Sequence, residues 1–349
     1  MATRREFLRR TCAATLMASA APIDEGDTKE KSTQTRRARH KGSVLDLAIV
    51  GTGDISPRYL SQAAKSQRAR FIATCARTLE SAKARANEYH IPRWFDDYIA
   101  MYDVVSPDAV VIATPNSIHA APTIAALERG IHVLCEKPMA TTWAECQAVV
   151  AAARRSGAVL LCLPYEGHPG PLAALRYLNE PTLGIFTGAE AQLFLRGYDR
   201  ERWYDARLTG GITLDALVYC VSELINMLGP LSRVTGFINT LAPKRVIGRK
   251  TVETAIDDNV TLIGEWSTGQ MAIFRAMLGP ATERGETIIY GHKGALWLRD
   301  SDLVIHSPSR VIPGADPTSW GSYKDCYRVP VQGGQSYADE GLLEHLLTV

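Results

Sequence analysis

The segment Gly51-Thr52-Gly53-Asp54-Ile55-Ser56 has the residue types and spacing of a phosphate-binding turn. In the pattern G-x-G-x-x-G, the first glycine makes a tight turn and the second lets a pyrophosphate approach the backbone. The third glycine, which serves helix–strand packing, is replaced here by Ser56, another small residue. A β-rich run at 44–50 precedes the segment and a helical pattern at 59–68 follows it. The sequence therefore predicts a dinucleotide site, with a helix N-terminus facing the phosphate.

The end of the next strand pattern, 71–76, bears on which dinucleotide binds. An acidic residue at this point binds the ribose 2′-hydroxyl of NAD, whereas this chain has Ala76, Arg77 and Thr78. A neutral residue followed by a cation accepts a 2′-phosphate, which a carboxylate would repel. We therefore expect NADP in preference to NAD, and the alternative that Arg77 is a solvated loop cation stays open.

Lys137 follows a strand pattern of the first half of the chain. It lies in Glu136-Lys137-Pro138, directly after the strand pattern 131–135, just as Thr114-Pro115-Asn116 follows the strand pattern 108–113. Ligands bind beyond the carboxyl ends of parallel strands, so both segments should face the dinucleotide. A partly desolvated lysine beside a cationic nicotinamide should have a lowered pKa, which suits proton transfer near neutral pH.

Asp215 and Tyr219 form a second candidate pair. They follow Thr209-Gly210-Gly211 within the helical pattern 214–228, and residues four apart share one helix face. The carboxylate and the phenol can therefore point into one cleft, and a phenol can donate or relay a proton. The alternative is that Asp215 is an ordinary helix residue and Tyr219 a core aromatic.

The elements that must position these residues follow two patterns. From 44 to 164, strand patterns alternate with helical patterns, which predicts a parallel, doubly wound sheet. Further along, segments alternate apolar and polar residues with period two, which predicts an antiparallel sheet; they are 184–195, 234–239, 259–266, 270–275, 287–290 and 294–298. We therefore expect an α/β fold with an N-terminal Rossmann domain at 44–164. A C-terminal α+β domain at 165–349, with a large open antiparallel sheet, should carry the substrate and oligomer contacts.

Composition excludes several other classes of protein. The 349 residues include 39 Lys and Arg against 37 Asp and Glu, and this net charge of +2 gives no reason to expect a nucleic-acid partner. The seven cysteines form no C-x-x-C pair, and the eight histidines lack metal-ligand spacing. We therefore expect neither a disulfide framework nor a metal site.

The first residues have the pattern of a twin-arginine export signal, here 1–21. Arg4-Arg5 is followed by Phe7-Leu8 and by a weakly apolar stretch with the small residues Ala18-Ser19-Ala20. The stretch is too short to span a bilayer, and 22–43 is a polar, charged linker. We expect export by the twin-arginine machinery to the periplasm. A disordered basic tail on a cytoplasmic protein is the alternative.

Taken together, these segments resemble the Gfo/Idh/MocA family of oxidoreductases, which includes glucose–fructose oxidoreductase and inositol dehydrogenases. The resemblance covers nearly all of the chain from residue 44 onwards. The segments that carry it are Gly51–Ser56, Ala113-Thr114-Pro115-Asn116 with His119, His132–Pro138, and Gly210-Gly211 with Asp215. Tyr219 stands where the family's dehydrogenases have His, and the glucose–fructose oxidoreductase branch also has Tyr at this position. Ala216-Leu217 replaces the pair of small residues or glycines that usually follows the Asp.

The resemblance implies roles for particular residues. Lys137 would be the catalytic acid/base, assisted by Asp215 and Tyr219. The expected cofactor contacts are Gly51, Thr52, Gly53, Asp54, Ile55, Ala76, Arg77, Thr78, Thr114, Pro115, Asn116, His119, Glu136 and Lys137. The expected contacts to a sugar-like substrate are Tyr165, Arg202, Trp203 and Tyr219. The open sheet face commonly makes oligomer contacts in this family, so the resemblance also implies a homo-oligomer.

Three functions are compatible with these residues. The favoured one is hydride transfer between NAD(P) and a sugar or sugar-like hydroxyl or carbonyl. A glycosidase or epimerase that retains NAD and oxidises the sugar only transiently is the second, and a non-catalytic exported sugar-binding protein is the third. Lys137 and Asp215 argue against the third.

Overall fold

The structure, a computed structural model, describes residues 44–163, 169–178, 182–299, 302–320 and 322–331. The expected signal and linker and the expected substrate residue Tyr165 lie outside the described residues. The described residues from Leu45 onwards pack as one compact unit.

Six parallel strands form the first sheet, in the order β3-β2-β1-β4-β5-β6. They are β1 Leu45–Val50, β2 Ala69–Cys75, β3 Arg93–Phe95, β4 Ala109–Ile112, β5 His132–Cys135 and β6 Leu160–Cys162. The helices between them are α1 Ser56–Lys65, α2 Leu79–Glu88, α3 Tyr98–Val105, α4 Ala120–Glu128 and α5 Trp143–Ser156, with a 3-10 turn at Asn116–Ile118. All four residues of β4 are buried, as expected for a strand covered on both faces. The strand order reverses between β1 and β4, which is the ligand crevice of such folds.

Helix α1 begins earlier than the sequence pattern predicts. It starts at Ser56 rather than at 59, because Pro57 suits a first helical turn and the Ser56 hydroxyl donates to the Gly53 carbonyl at 2.7 Å. The helix therefore follows the glycine turn directly. Strand β3 and helix α3 were not predicted, since three strand residues are too few to give a readable pattern.

Within the described residues, the second sheet has nine strands, in the order β16-β17-β15-β14-β13-β7-β12-β11-β8. Its strands are β7 Phe186–Leu195, β8 Arg233–Asn239, β11 Asn259–Glu265, β12 Met271–Leu278, β13 Arg284–Gly291, β14 Ala295–Arg299, β15 Asp302–His306, β16 Asp316–Trp320 and β17 Tyr323–Val329; β9 Lys244–Ile247 and β10 Lys250–Glu253 form a separate hairpin. Every neighbouring pair is antiparallel except β7 and β12, which are parallel. The sheet is thus antiparallel as expected apart from this pair, which is parallel because the helices of the domain are inserted between the two strands and make the long crossover that parallel neighbours need.

Helical segments cover one face of this sheet. They are α6 Pro169–Ala174, a 3-10 turn Glu201–Tyr204, α7 Ala206–Thr209, a π-helical turn Thr213–Leu217 and α8 Val218–Leu228. Among the described residues, the segment 206–228 is long and apolar enough to cross a membrane, judged by length and composition alone. It is nevertheless divided at Gly210 and Gly211, and Ile212 and Leu224 are fully buried in the core. The single helix expected at 214–228 is therefore a π-turn continued by α8.

Candidate active site at the edge of the Rossmann sheet

The glycine turn has the geometry that a dinucleotide phosphate requires. Gly51 has a φ of +102°, and a Cβ there would lie 2.2 Å from the Ala113 carbonyl oxygen, so only glycine fits. A Cβ at Gly53 would meet no atom within 4 Å. No protein atom therefore occupies the space beside Gly53, and this space leaves room for a phosphate group to approach the backbone.

A second observation at the same edge fits a bound dinucleotide. The hydroxyl oxygen of Thr114, just past the end of β4, is buried and has no hydrogen-bond partner within the described structure. A buried polar atom normally has a partner, which a ligand at this edge would supply. Asn116 follows in the same loop and is buried, and its amide donates to the Thr209 carbonyl at 2.9 Å. The loop after β4 is thus fixed to the glycine cluster of the second domain.

Glu136 fixes the loop that carries Lys137. Its carboxylate accepts the hydroxyl of Tyr59 at 2.5 Å and the backbone N–H of Lys137 at 3.2 Å. Tyr59 lies on α1, is fully buried, and has no motif that would have revealed it in the sequence. The pair joins the loop after β5 to the helix that follows the glycine turn.

His119 joins the loops after β4 and β5. Its Nδ1 lies 2.6 Å from the Pro138 carbonyl oxygen and its Nε2 lies 2.8 Å from that of Thr114. Burial opposes protonation of this ring, but Cys135 and the two carbonyls outweigh burial and raise the pKa of His119 to about 9. An imidazolium can donate to both carbonyls at once. His119, which is 1% exposed, therefore binds the two expected cofactor loops through their backbone carbonyls from the interior of the domain.

The amine of Lys137 is held by Asp215. Its Nζ donates to the Oδ1 atom and to the backbone carbonyl of Asp215, each at 2.6 Å, and the two side chains are 14% and 8% exposed. Tyr219 presents its ring to the same amine, with 5.1 Å between Nζ and the ring centroid. The tertiary structure therefore brings together the three residues expected to be catalytic.

The electrostatics of Lys137 differ from the expectation. Burial favours the neutral amine, but Tyr219 and Asp215 outweigh it and hold the pKa of Lys137 above its usual value. The expectation that the pKa of Lys137 is lowered is therefore wrong when the groups of the protein itself are considered. The sequence could not reveal the direct contact with Asp215, since 78 residues separate the two.

The π-turn at 213–217 positions Asp215. Asp257, which the sequence analysis missed, accepts the backbone N–H of Thr213 at 2.8 Å and its hydroxyl at 2.6 Å, and so caps the turn. Gly211 has a φ of +79°, and a Cβ there would collide with Asp257. Single π-turns within helices often lie at functional sites. Here the turn presents both a side-chain oxygen and a backbone carbonyl to Lys137.

Tyr198 is a further residue of the site that no sequence motif indicated. Its hydroxyl donates to Oδ2 of Asp215. The Tyr198 ring centroid lies 5.3 Å from that of Trp203 and 5.8 Å from that of Tyr204. Trp203, an expected substrate residue, is partly exposed and so borders the site, whereas Tyr204 is buried and packs beneath it.

Other expected contacts lie along the glycine turn rather than at Lys137. Asp54 forms ion pairs with both Arg200 and Arg202, so Arg202 lies against the glycine turn. The Thr52 carbonyl accepts the Arg85 guanidinium at 3.1 Å. At the end of β2, Arg77 is exposed and the Thr78 hydroxyl caps α2, while Ala76, Ile55 and Pro115 flank the same edge. The individual site assignments stay predictions.

Two family models match the chain. One, described as an oxidoreductase family with an NAD-binding Rossmann fold, matches residues 45–163, and one described as the GFO/IDH/MocA C-terminal domain matches 174–297. The chain belongs to the GFO/IDH/MocA oxidoreductase family. The resemblance inferred from the sequence is confirmed, and with it the enzyme class and a nicotinamide dinucleotide as cofactor.

Among curated relatives, this GFO/IDH/MocA member is 35% identical over 207 residues to the uncharacterized oxidoreductase YgjR of Escherichia coli (strain K12). The match covers 57% of the chain and 63% of YgjR, which is less than two thirds of the length of that relative. It is 26% identical over 277 residues to scyllo-inositol 2-dehydrogenase (NADP(+)) IolU of Bacillus subtilis (strain 168), covering 77% and 79%. Among solved structures, it superposes on levoglucosan dehydrogenase in complex with NADH and L-sorbose with a TM-score of 0.68, at 20% identity and covering 76% and 77%. This last likeness shows the fold.

Proposed function

We propose that this oxidoreductase transfers a hydride between NAD(P) and a hydroxyl or carbonyl of a sugar or sugar-like polyol, with Lys137 as the acid/base. The observation that carries the proposal is the Lys137 amine, held at 2.6 Å by Asp215 at the carboxyl edge of the Rossmann sheet. The bound nicotinamide supplies the acceptor or donor of the hydride.

The residues of the chain handle the proton. When the substrate is oxidised, the hydroxyl proton passes to Nζ of Lys137 while a hydride leaves the carbon that bears this hydroxyl. In the reverse reaction the carbonyl carbon receives the hydride and its oxygen receives the proton. Lys137 must be neutral to accept the proton, and Asp215 stabilises the ammonium that results. The ring of Tyr219 faces the same cation and adds to this stabilisation.

The proposed substrate class rests on the surroundings of the amine. Trp203 and Tyr198 place aromatic surface and a hydrogen-bonding group beside Asp215, and this combination suits a polyhydroxylated ring. The name of the Bacillus subtilis relative describes it as an NADP-dependent enzyme acting on a cyclic polyol. Together with the exposed Arg77 after the neutral Ala76, this supports NADP as the preferred cofactor.

The experiment is a screen of sugars and cyclic polyols with NADP and with NAD, followed at the nicotinamide absorbance band. We expect net NADPH formation with at least one substrate, and Lys137→Met should lower kcat/KM by about 10² to 10⁴-fold. The matched control is Lys65→Met, which removes an exposed lysine at the end of α1 and should leave kcat/KM unchanged. Full activity of a folded Lys137→Met variant would refute the acid/base assignment. Substrate turnover without net NADPH would instead favour a cofactor-retaining enzyme.

A further inference from the structure

The Asp215 carboxylate is held from two sides. Its Oδ1 atom accepts the Lys137 amine, and its Oδ2 atom accepts the Tyr198 hydroxyl. Asp215 is buried and Tyr198 is largely buried, so water competes poorly for these bonds. The three side chains form a chain of hydrogen bonds that ends on the amine proposed to move the proton.

Tyr198 is itself fixed in place. Its backbone N–H donates to the Tyr204 hydroxyl at 2.8 Å, and that hydroxyl donates to the Tyr198 carbonyl at 3.1 Å. Its ring packs between those of Tyr204 and Trp203. With backbone and ring both held, the hydroxyl is directed at Asp215.

We propose that Tyr198 is a positioning residue for proton transfer: by binding one oxygen of Asp215, it fixes the other oxygen on Lys137 and reduces the negative charge that the amine faces. This inference rests on the proposed function of Lys137. A hydrogen bond donated to a carboxylate withdraws charge from it, so the ammonium form of Lys137 is stabilised less than it would be by an unbonded Asp215. Tyr198 therefore makes Lys137 a more readily deprotonated base.

Charged and titratable groups from several elements of the described structure act on Lys137 and Tyr198. Lys137 faces Asp215 and Tyr219 from the second domain and Glu136 from its own loop. Tyr198 faces Asp215, Tyr204 and Tyr219, and Arg58 on α1 also acts on Tyr219. Tyr198→Phe leaves all of them in place and removes one hydroxyl.

The test measures the protonation of Lys137 directly. The rate at which acetic anhydride labels Lys137 is followed against pH by mass spectrometry, on the purified full chain with and without NADP. In Tyr198→Phe the labelling curve should move to higher pH, so that below its midpoint labelling slows by roughly threefold or more. The acidic limb of the pH–kcat/KM profile should move in the same direction. A curve that coincides with the wild type, or moves to lower pH, overturns the inference.

Two further variants separate this role from a structural one. Tyr102→Phe also removes a buried tyrosine hydroxyl, which donates to the Pro122 carbonyl at 3.1 Å in the Rossmann domain, and should leave the labelling curve in place. In an Asp215→Asn background, Tyr198→Phe should give no upward shift, because the carboxylate through which it acts is gone. If Lys137→Met is inactive while Tyr198→Phe behaves as wild type, only this inference fails. If Lys137→Met is fully active, the proposed function fails.

Discussion

At Lys137, burial and charge act in opposite directions on one amine. Removal from water disfavours the ammonium, while Tyr219 and Asp215 favour it, and the pKa of Lys137 is raised on balance. A base with a raised pKa needs a higher pH to become neutral, so oxidation of an alcohol by this site should be favoured on the alkaline side. The carboxylate that holds the amine in place thus also limits how readily it loses its proton.

Asp215→Asn separates these two effects. Loss of the negative charge should lower the pKa of Lys137, so the acidic limb of kcat/KM moves to lower pH. Loss of the ion pair should also reduce kcat by roughly 10- to 1,000-fold, because the amine is no longer held in its orientation. The pH–rate profile measures both. A limb that moves to higher pH would contradict the electrostatic account.

At the scale of single residues, sequence reasoning could select only positions that a motif marks. Lys137 follows a strand within a recognisable tripeptide, and Asp215 follows a glycine cluster. Tyr198, Asp257 and Tyr59 carry no such mark, because each acts through a partner 17 to 77 residues away that only folding brings near.

At the scale of elements, the two strand-end loops around the glycine turn are fixed to one another. His119 joins the loops after β4 and β5, and Glu136 joins the latter to α1. The loops that carry Thr114 and Lys137 are therefore joined to each other and to the helix that follows the glycine turn.

Gly51→Ala and Gly53→Ala should separate folding from cofactor binding. At Gly51, a methyl group collides with the Ala113 carbonyl and the φ of +102° disfavours any side chain, so the melting temperature should fall by several degrees. At Gly53, a methyl group meets no protein atom, so the melting temperature should hold while the Kd for NADPH rises at least about tenfold. Differential scanning fluorimetry and NADPH fluorescence titration measure the two quantities. Unchanged NADPH affinity in Gly53→Ala would place the phosphate elsewhere.

At the scale of the whole molecule, contacts between the two domains complete the site. Asn116 reaches Thr209, Lys137 reaches Asp215, and Asp54 is paired with Arg200 and Arg202. A Rossmann domain alone would carry Lys137 without the groups that set its charge.

The uncovered face of the nine-stranded sheet supports the expectation of a homo-oligomer. Ile263 and Ile273 are cross-strand neighbours on this face, and Phe237 on the edge strand β8 is 87% exposed. Ile263→Lys should shift the protein toward smaller species, because a charge would be buried at the subunit contact. Sedimentation velocity measures the change, and Val104→Lys, at an exposed position of α3, is the matched control. A monomeric wild type would contradict the expectation.

The sequence by itself determined the alternation of strands and helices in the Rossmann domain apart from β3 and α3, the first strands of the second sheet, the glycine turn, and the segments that carry Lys137 and Asp215. These depend on local periodicity and on short motifs, which involve only residues that are close together in the sequence. Only the tertiary structure decided the parallel β7–β12 pair, the π-turn that aims Asp215, and the bond from Tyr198 to that carboxylate. Each of these depends on which distant segments pack together, and the raised pKa of Lys137 follows from that packing.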